Sequence, residues 1–244
     1  MKEIKIKIPD YLTIDQYRKM TEMGQEDGRI EQLVHIVSSL SDYSKEEIKS
    51  WSIKTLTEIA TKYSDLVDVK NEFHPIIEWN GQLYGYANIT QASLGTYIDI
   101  ENMSKDLKNN MHQIAATLYR PIKKHRFNSL SFTLKQKIKA LNNKVENVFD
   151  WYTLQPYDYE ARKEVEESFR EFPAHIFLGA LSFFLVNVNL YLVNTQSSEI
   201  LTQSQKKKMT NQIMETLSLA IGGGSGLSTT SPSLTYLAYQ GTKQ

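Results

Sequence analysis

The chain has 244 residues, of which 41% are hydrophobic and 23% are charged, a balance typical of a globular protein rather than a disordered or fibrous one. Its 28 lysines and arginines equal its 28 aspartates and glutamates, so it lacks the basic excess that dedicated nucleic-acid-binding proteins usually carry. It contains no cysteine, which excludes disulfides, thiolate metal ligands and cysteine nucleophiles.

The first ten residues, MKEIKIKIPD, alternate charged residues with isoleucine and lack the continuous apolar run of a signal peptide. Synthesis in the cytoplasm is therefore expected. The same alternation over Glu3–Pro9 has the period of two that predicts a half-exposed strand.

Helices are predicted over most of the next stretch. A short helix over Thr13–Met20 is capped by its first residue, and apolar residues recur at helical spacing over Ile30–Leu40. Ser44 and Glu47 match a capping box, in which each side chain accepts a hydrogen bond from the backbone N–H of the other residue. This pattern predicts further helix toward Leu66.

The clearest β signal lies in Phe73–Ile89, where two aromatic and β-branched runs flank Asn80–Gly81. Asn-Gly is a pair that adopts the positive φ angles of a type I′ hairpin turn. Pro75 places the first run at a sheet edge or at a strand end. Because an isolated hairpin is only marginally stable, the Glu3–Pro9 strand is expected to join it in a three-stranded sheet.

From Asp99 onward, apolar residues recur at helical spacing almost to the end of the chain. The first of these helices is expected to stop at Pro121, because a residue that precedes proline is disfavoured in the α region. Further helices are predicted over Thr133–Phe149, Asp158–Phe169 and Gln203–Ile221, with Pro173 at another helix start.

These elements predict a mainly α fold of the α+β class, a helical bundle-like domain with a small antiparallel hairpin or three-stranded sheet. We expect residues 1–244 to form one α-rich domain. Its β element comprises residues 3–9 and 73–89, its helical part residues 99–221, and its loop and C-terminal arm residues 222–244.

Ala174–Val193 is about long enough to cross a bilayer, which takes ~20 apolar residues. The run is interrupted by four polar residues, and its flanks lack a strong positive asymmetry. These residues are His175, Ser182, Asn187 and Asn189. A helix that is apolar on every side can equally lie at the centre of a bundle. We therefore expect it in the core or in a subunit interface, and no membrane partner is predicted.

No segment has the pattern of a catalytic, cofactor-binding or metal site. The glycines of Ile221–Ser231 follow a predicted helix rather than a strand, and no lysine follows the last of them, so a phosphate-binding loop is not predicted. The five histidines lack metal-ligand spacing, and no nucleophile–base motif occurs. We expect a protein that is not an enzyme; the alternative is a cytoplasmic enzyme whose site is assembled from distant residues.

His112–His125, HQIAATLYRPIKKH, is the segment that looks most like a chemical site. Its apolar residues continue the helical stripe and Pro121 is the expected stop, which places Lys123 and Lys124 just past a helix C-terminus, where positive charge suits the helix dipole. Arg120 is expected to pair with a carboxylate of its own fold or of a neighbouring copy. The segment is therefore interpreted as a helix terminus.

Two basic clusters, Lys123–Arg126 and Lys206–Lys208, stand out in this neutral chain. Neither forms the continuous basic stripe that nucleic-acid-binding proteins usually show. Both are predicted to be solvated surface, and an incidental contact with DNA is left open.

The central stretch EWNGQLYGYANITQASLGTYIDIENMSKDLKNNMHQIAATLYRPI orders a strand, an NG turn, the phrase LGTYIDIEN and a helix that closes on LYRPI. This order resembles small virion and tail-assembly proteins of tailed bacteriophages, above all those of crAss-like and related phages that infect Bacteroidetes. The stretch FREFPAHIFLGALSFF, in which a short acidic helix precedes an apolar one, resembles their C-terminal half.

The resemblance implies a non-enzymatic structural subunit of a tailed-phage virion, an oligomeric ring protein of the head–tail connector or tail barrel. It implies further copies of the chain and other virion proteins, such as portal or tail subunits, as partners. The implied location is the virion, at its tail or head–tail junction, after assembly in the host cytoplasm. A tail-assembly chaperone is the alternative in the same biology. No catalytic residue, cofactor or metal is implied, because these roles need none.

Overall fold

The computed structural model of the protein describes residues 6–22, 28–67, 69, 71–88, 93–127, 132 and 147–194. Its helices are α1 (Ile14–Met20), α2 (Arg29–Leu40), α3 (Lys45–Lys49), α4 (Ile53–Val67), α5 (Leu94–Ser104), α6 (Leu107–Leu118), α7 (Tyr159–Glu166) and α8 (Ala174–Asn194). Its strands are β1 (Ile76–Trp79), β2 (Gln82–Tyr86), β3 (Tyr119–His125) and β4 (Tyr152–Leu154), and two 3₁₀ turns cover Val148–Trp151 and Glu167–Glu171. Helix predominates, which confirms the mainly α fold of the α+β class.

Local hydrogen bonds explain where the first helices begin. The Thr13 hydroxyl oxygen accepts from the Gln16 backbone N–H at 3.1 Å, and the Gln16 side chain accepts from the Thr13 N–H at 3.0 Å. Ser44 and Glu47 make the same reciprocal pair at the start of α3. Both predicted caps are therefore confirmed, as are the helices that follow them.

The hairpin forms where the sequence predicts it. Asn80 and Gly81 have φ angles of 51° and 74°, both in the left-handed region that a type I′ turn requires. Trp79 pairs with Gln82 across this turn, and β1 starts directly after Pro75. The prediction for the turn and the prediction for the proline are both confirmed.

The third strand of the sheet is not the one that the sequence predicts. Four antiparallel strands lie in the order β1-β2-β3-β4, and the open edge of β2 pairs with β3. Residues 6–9 are not a strand, and residues 3–5 lie outside the described part of the chain. The alternation of apolar and charged residues indicates two faces of a strand, but it does not indicate which strand would pair with it. Ile6 and Ile8 pack at the border of the core, and β3 pairs with β2 instead.

Between α6 and α7, the predicted helical part of residues 99–221 contains the strands β3 and β4, which the sequence does not predict. α6 ends at Leu118, and because Arg120 precedes a proline the chain becomes extended there and continues as β3. Lys123 and Lys124 therefore lie within a strand, beyond the last helical turn in which the dipole acts. Residues 133–146 and 195–244, with most of the predicted Thr133–Phe149 helix and all of Gln203–Ile221, lie outside the described residues, so the single domain 1–244 stays a prediction.

The sheet separates two apolar clusters, because neighbouring residues of a strand face opposite sides. The larger cluster is built from the helices and one face of the sheet, where Ile77, Tyr84 and Tyr86 lie. A smaller cluster on the other face consists of Ile76, Ile122, Val148 and Tyr152. β3 thus has apolar support on both faces over its first half.

The first half of α8 crosses the larger cluster. Its fully or almost fully buried side chains are Ile176, Phe177, Leu178, Ala180, Leu181 and Phe184. Short backbone bonds tie the start of α8 to the residues before α1: the Ile14 N–H donates to the Phe172 oxygen at 2.9 Å and the Ala174 N–H to the Leu12 oxygen at 2.8 Å. These residues of the Ala174–Val193 run are therefore core residues.

Candidate functional site

The His112–Arg126 segment comprises the second half of α6 and all of β3. It carries polar or charged side chains in three different environments. His112 is buried within α6, Arg120 is half-buried in β3, and four exposed basic residues end the strand. Ala115 and Leu118 are buried, so the end of α6, which connects these environments, is anchored in the core.

Tyr119 fixes the junction between α6 and β3. Its side chain is completely buried, and its hydroxyl donates a hydrogen bond of 2.8 Å to the His74 carbonyl oxygen. Burial raises the pKa of this hydroxyl well above its usual value, so it stays a hydrogen-bond donor. Tyr152 of β4 makes a similar bond to β2, which is not its neighbour in the sheet: its hydroxyl donates to the Tyr86 carbonyl oxygen at 2.9 Å.

Arg120 has no acidic partner in the described part of its own fold. The Nε atom of Arg120 is buried and has no hydrogen-bond partner among the described residues. No described carboxylate lies within 4.0 Å of the Arg120 guanidinium. Burial lowers the pKa of Arg120, although the hydroxyls of Tyr157 and Tyr152 nearby act in the opposite direction. The prediction of an internal ion pair is thus wrong for these residues, and the prediction of a neighbour's carboxylate stays open.

The basic end of β3, which we define as Lys123, Lys124, His125 and Arg126, is exposed. Among the described residues, none of its lysine or arginine side chains lies within 4.0 Å of a carboxylate. Asp150 is the adjacent acidic residue, but it receives the Arg126 guanidinium on its backbone carbonyl rather than on its carboxylate. The carboxylates of the described residues therefore do not neutralise the positive charge of this strand end through direct ion pairs.

Aromatic rings border the basic end of β3. The His125 ring stacks on Phe127 at a centroid distance of 4.3 Å, and the Arg126 guanidinium lies 5.8 Å from the centroid of Phe132. Phe132 in turn contacts Trp151 edge to face at 5.3 Å. These contacts pack the strand end against the smaller apolar cluster and fix the backbone that carries its exposed charges.

The other end of the segment carries an acid–base network. The His112 side chain is 3% exposed, and its Nε2 atom lies 3.6 Å from the Glu167 carboxylate without a hydrogen-bond partner. Arg170 binds Glu167 at 2.5 Å and approaches Asp15 at 4.0 Å. Burial acts to raise the pKa of Asp15, but hydrogen bonds from Lys19 and Arg18 lower it below its usual value.

The network holds His112 in its neutral form. Burial lowers the pKa of His112 most, and the positive charges of Arg170 and Arg18 add to this, against the weaker opposite effects of Glu167 and Asp15. Although the 3.6 Å distance to Glu167 suggests an ion pair, that carboxylate is itself exposed and already bound by Arg170. We therefore treat the desolvation of the imidazole as decisive.

We expect the neutral state of His112 to make stability depend on pH. The unfolded chain takes up this proton near the ordinary histidine pKa of 6.5, whereas the folded chain takes it up only at lower pH. The free energy of unfolding therefore falls as the pH drops below about 6.5, and this contribution ends below the folded pKa. In urea denaturation at pH 7 and pH 5.5, His112→Gln should lose less stability than the wild type over that interval.

His125→Gln is the matched control for this measurement, because His125 is exposed and lies outside the network. It should leave the pH dependence of the wild type unchanged. His175, whose pKa burial also lowers, is retained in both variants and supplies a shared background. A His112→Gln variant with the full pH dependence of the wild type would contradict the assignment.

A second polar cluster lies where α5 meets α7. Tyr157 donates a hydrogen bond to the Asp99 carboxylate, and Arg162, which is 7% exposed, forms an ion pair with Glu166 at 2.9 Å. The Arg162 guanidinium also lies 5.0 Å from the Tyr159 ring centroid and 3.4 Å from the Met103 sulfur. These contacts join the two helices, and the partnered charges give the cluster a structural role.

The other sequence features divide between described and undescribed residues. The Ile221–Ser231 loop and the Lys206–Lys208 cluster lie outside the described residues. Among the described residues, no three His, Asp or Glu side chains form a group that could hold a metal ion. No helix in the described ranges combines the length and apolar character needed to cross a membrane.

Comparisons with protein-family models, with curated proteins and with solved structures find no match to this chain.

Proposed function

We propose that the chain is a non-enzymatic structural subunit of a tailed-bacteriophage virion and forms an oligomeric ring in the head–tail connector or tail barrel. Its partners would be further copies of itself and adjoining virion proteins such as portal or tail subunits. Its location would be the tail or head–tail junction, reached after assembly in the host cytoplasm. The proposal starts from the sequence resemblance, and one structural observation supports the resemblance itself.

That observation is the continuity of the stretch that carries the resemblance. It begins at β1 and β2, passes through α5 and α6, and ends in β3. The two ends are neighbours in the sheet, since Tyr84 pairs with Pro121 and Tyr86 with Tyr119. The segments that carry the resemblance thus belong to one hairpin–helix–helix–strand unit. This is expected if the resemblance reflects a shared structural element rather than isolated short matches.

The surroundings of Arg120 support the oligomeric part of the proposal. A closed ring needs one surface of a subunit to bind a different surface of the next copy. Arg120 is held on the sheet with no carboxylate partner in the described part of its own fold. An arginine presented in this way is suited to bind a carboxylate of an adjacent subunit, since its fork of donors matches that group.

The solution mass of the purified protein tests this proposal. One copy has a mass of 28.1 kDa, and light scattering should give an integer multiple of it, with ring-shaped particles in negative-stain images. Arg120→Ala should weaken the subunit contact by about tenfold, so that rings form only at higher protein concentration, as expected when one charged pair worth ~1.4 kcal/mol or more is lost from a contact. A protein that stays monomeric at every concentration would contradict the proposal.

Lys45→Ala is the matched control for Arg120→Ala. Lys45 is exposed in α3 and takes no part in the sheet. This variant should assemble like the wild type, and thermal unfolding of both variants separates a loss of assembly from a loss of folding. Equal assembly by Arg120→Ala and the wild type would remove Arg120 from the subunit contact.

A further inference from the structure

Charge is segregated along this neutral chain. Residues 119–146 contain one carboxylate, Glu146, and eight basic residues, which are Arg120, Lys123, Lys124, Arg126, Lys135, Lys137, Lys139 and Lys144. Since lysine and arginine equal aspartate and glutamate overall, the remaining residues are acidic on balance. The zero net charge therefore conceals one strongly basic stretch, and its first part is the described basic end of β3.

We infer that the basic end of β3 binds the phosphate backbone of nucleic acid without sequence preference. Lys123 and Lys124 are exposed on β3 and Arg126 is exposed just after it, and all three lack carboxylate partners among the described residues. Lysine and arginine side chains in this state release counterions from a polyanion when they bind it, which is the main source of non-specific affinity for DNA. This surface does not depend on assembly into a ring.

The structure favours nucleic acid over a lipid surface as the polyanion. Peripheral membrane binding combines basic residues with apolar side chains that insert between lipids. The large apolar residues around the basic end of β3 pack inward instead, since Phe127, Trp151 and Leu154 contact the second apolar cluster. Within the described part of the chain, the exposed large apolar side chains are Ile30, Ile53, Val69, Ile98, Tyr159 and Val186, all on other elements.

The same geometry predicts binding without base readout. Sequence is read by side chains that hydrogen-bond to base edges, whereas lysine and arginine contacts with phosphates carry no direct sequence information. Lys123 and Lys124 lie in the half of β3 that pairs with β4 alone, because the pairing with β2 covers Tyr119–Pro121. Flexible lysine side chains on such a surface reach phosphates rather than base edges. The affinity should consequently fall steeply with salt and vary little with sequence.

Fluorescence anisotropy with a labelled duplex DNA of about 30 base pairs tests the inference, with sodium chloride varied from about 50 to 200 mM. The wild type should bind at low salt, and Lys123→Ala/Lys124→Ala should bind about tenfold more weakly with a salt slope reduced by about 2. Two duplexes of unrelated sequence should give the same affinity. No binding by the wild type at about 50 mM salt would overturn the inference.

The matched control is Lys45→Ala/Lys62→Ala, which removes two exposed lysines from α3 and α4. It changes the net charge by the same amount and should keep wild-type affinity. Equal weakening in both double variants would overturn the inference, because binding would then depend on overall charge. The solution mass of each variant is measured alongside, so that rings without DNA binding, or DNA binding without rings, identify which proposal has failed.

Discussion

Gly179→Ala is expected to lower the free energy of unfolding by about 3 kcal/mol, which is a fall of about 6–12 °C in the melting temperature for a chain of this length. A methyl group at Gly179 in α8 would overlap the carbonyl oxygen of Glu72 and lie 2.5 Å from its carbonyl carbon. Both are backbone atoms, which have no alternative rotamer. α8 also cannot move away easily, because its neighbouring side chains Leu178 and Ala180 are buried in the core.

Gly95→Ala is the control for this variant, because Gly95 is also a helical glycine. A methyl group there would have the Ser93 hydroxyl oxygen, at 3.8 Å, as its nearest neighbour. Alanine is a better helix former than glycine, so this variant should match the wild type or gain up to about 1 kcal/mol. Equal melting temperatures for Gly179→Ala and Gly95→Ala would contradict the close approach of α8 to the 72–73 backbone.

Phe172→Ala is expected to lower the free energy of unfolding by about 3–5 kcal/mol, the usual range for removing a buried aromatic ring. The Phe172 side chain is 1% exposed and joins the sheet to the helices. Its ring contacts Trp79 at 5.3 Å, Tyr119 at 5.7 Å and Phe169 at 5.2 Å between centroids. Its removal should open a cavity between β1, β3 and the 3₁₀ turn that precedes α8.

The change can be followed by urea denaturation together with near-ultraviolet circular dichroism, which reports the packing of the aromatic rings. Ile53→Ala removes an apolar side chain that is 69% exposed, and it should change stability by less than about 0.5 kcal/mol. Phe172→Leu, which retains much of the volume, should fall between the two. A loss below about 1 kcal/mol for Phe172→Ala would contradict the position of this ring at the centre of the core.

Elements with local signals could be predicted from the sequence, whereas β3 could not. The Thr13 and Ser44 caps and the Asn80–Gly81 turn each depend on residues within four positions of one another. β3 depends on its pairing with β2, from which it is separated in the sequence by the helices α5 and α6. Pro121 correctly indicates the end of α6, but a proline that ends a helix does not indicate whether a loop or a strand follows.

The candidate site was difficult to predict for the same reason. His112 meets Glu167, Arg170 and Asp15 only because α6, the second 3₁₀ turn and α1 pack together. No spacing in the sequence indicates such a group. The sequence shows the basic cluster of residues 123–126, but only the fold shows that its lysines and arginine have no carboxylate within 4.0 Å among the described residues.

Labelling of purified particles tests most directly the proposal that this chain is a structural subunit of the virion. Antibodies against the protein, coupled to gold and applied to tailed-phage particles from cells that carry its gene, should mark one site per particle at the tail or head–tail junction. Peptides of the chain should be present in the same particles in constant proportion to the other virion proteins. Particles that are complete and infectious yet contain none of the protein would contradict the claim.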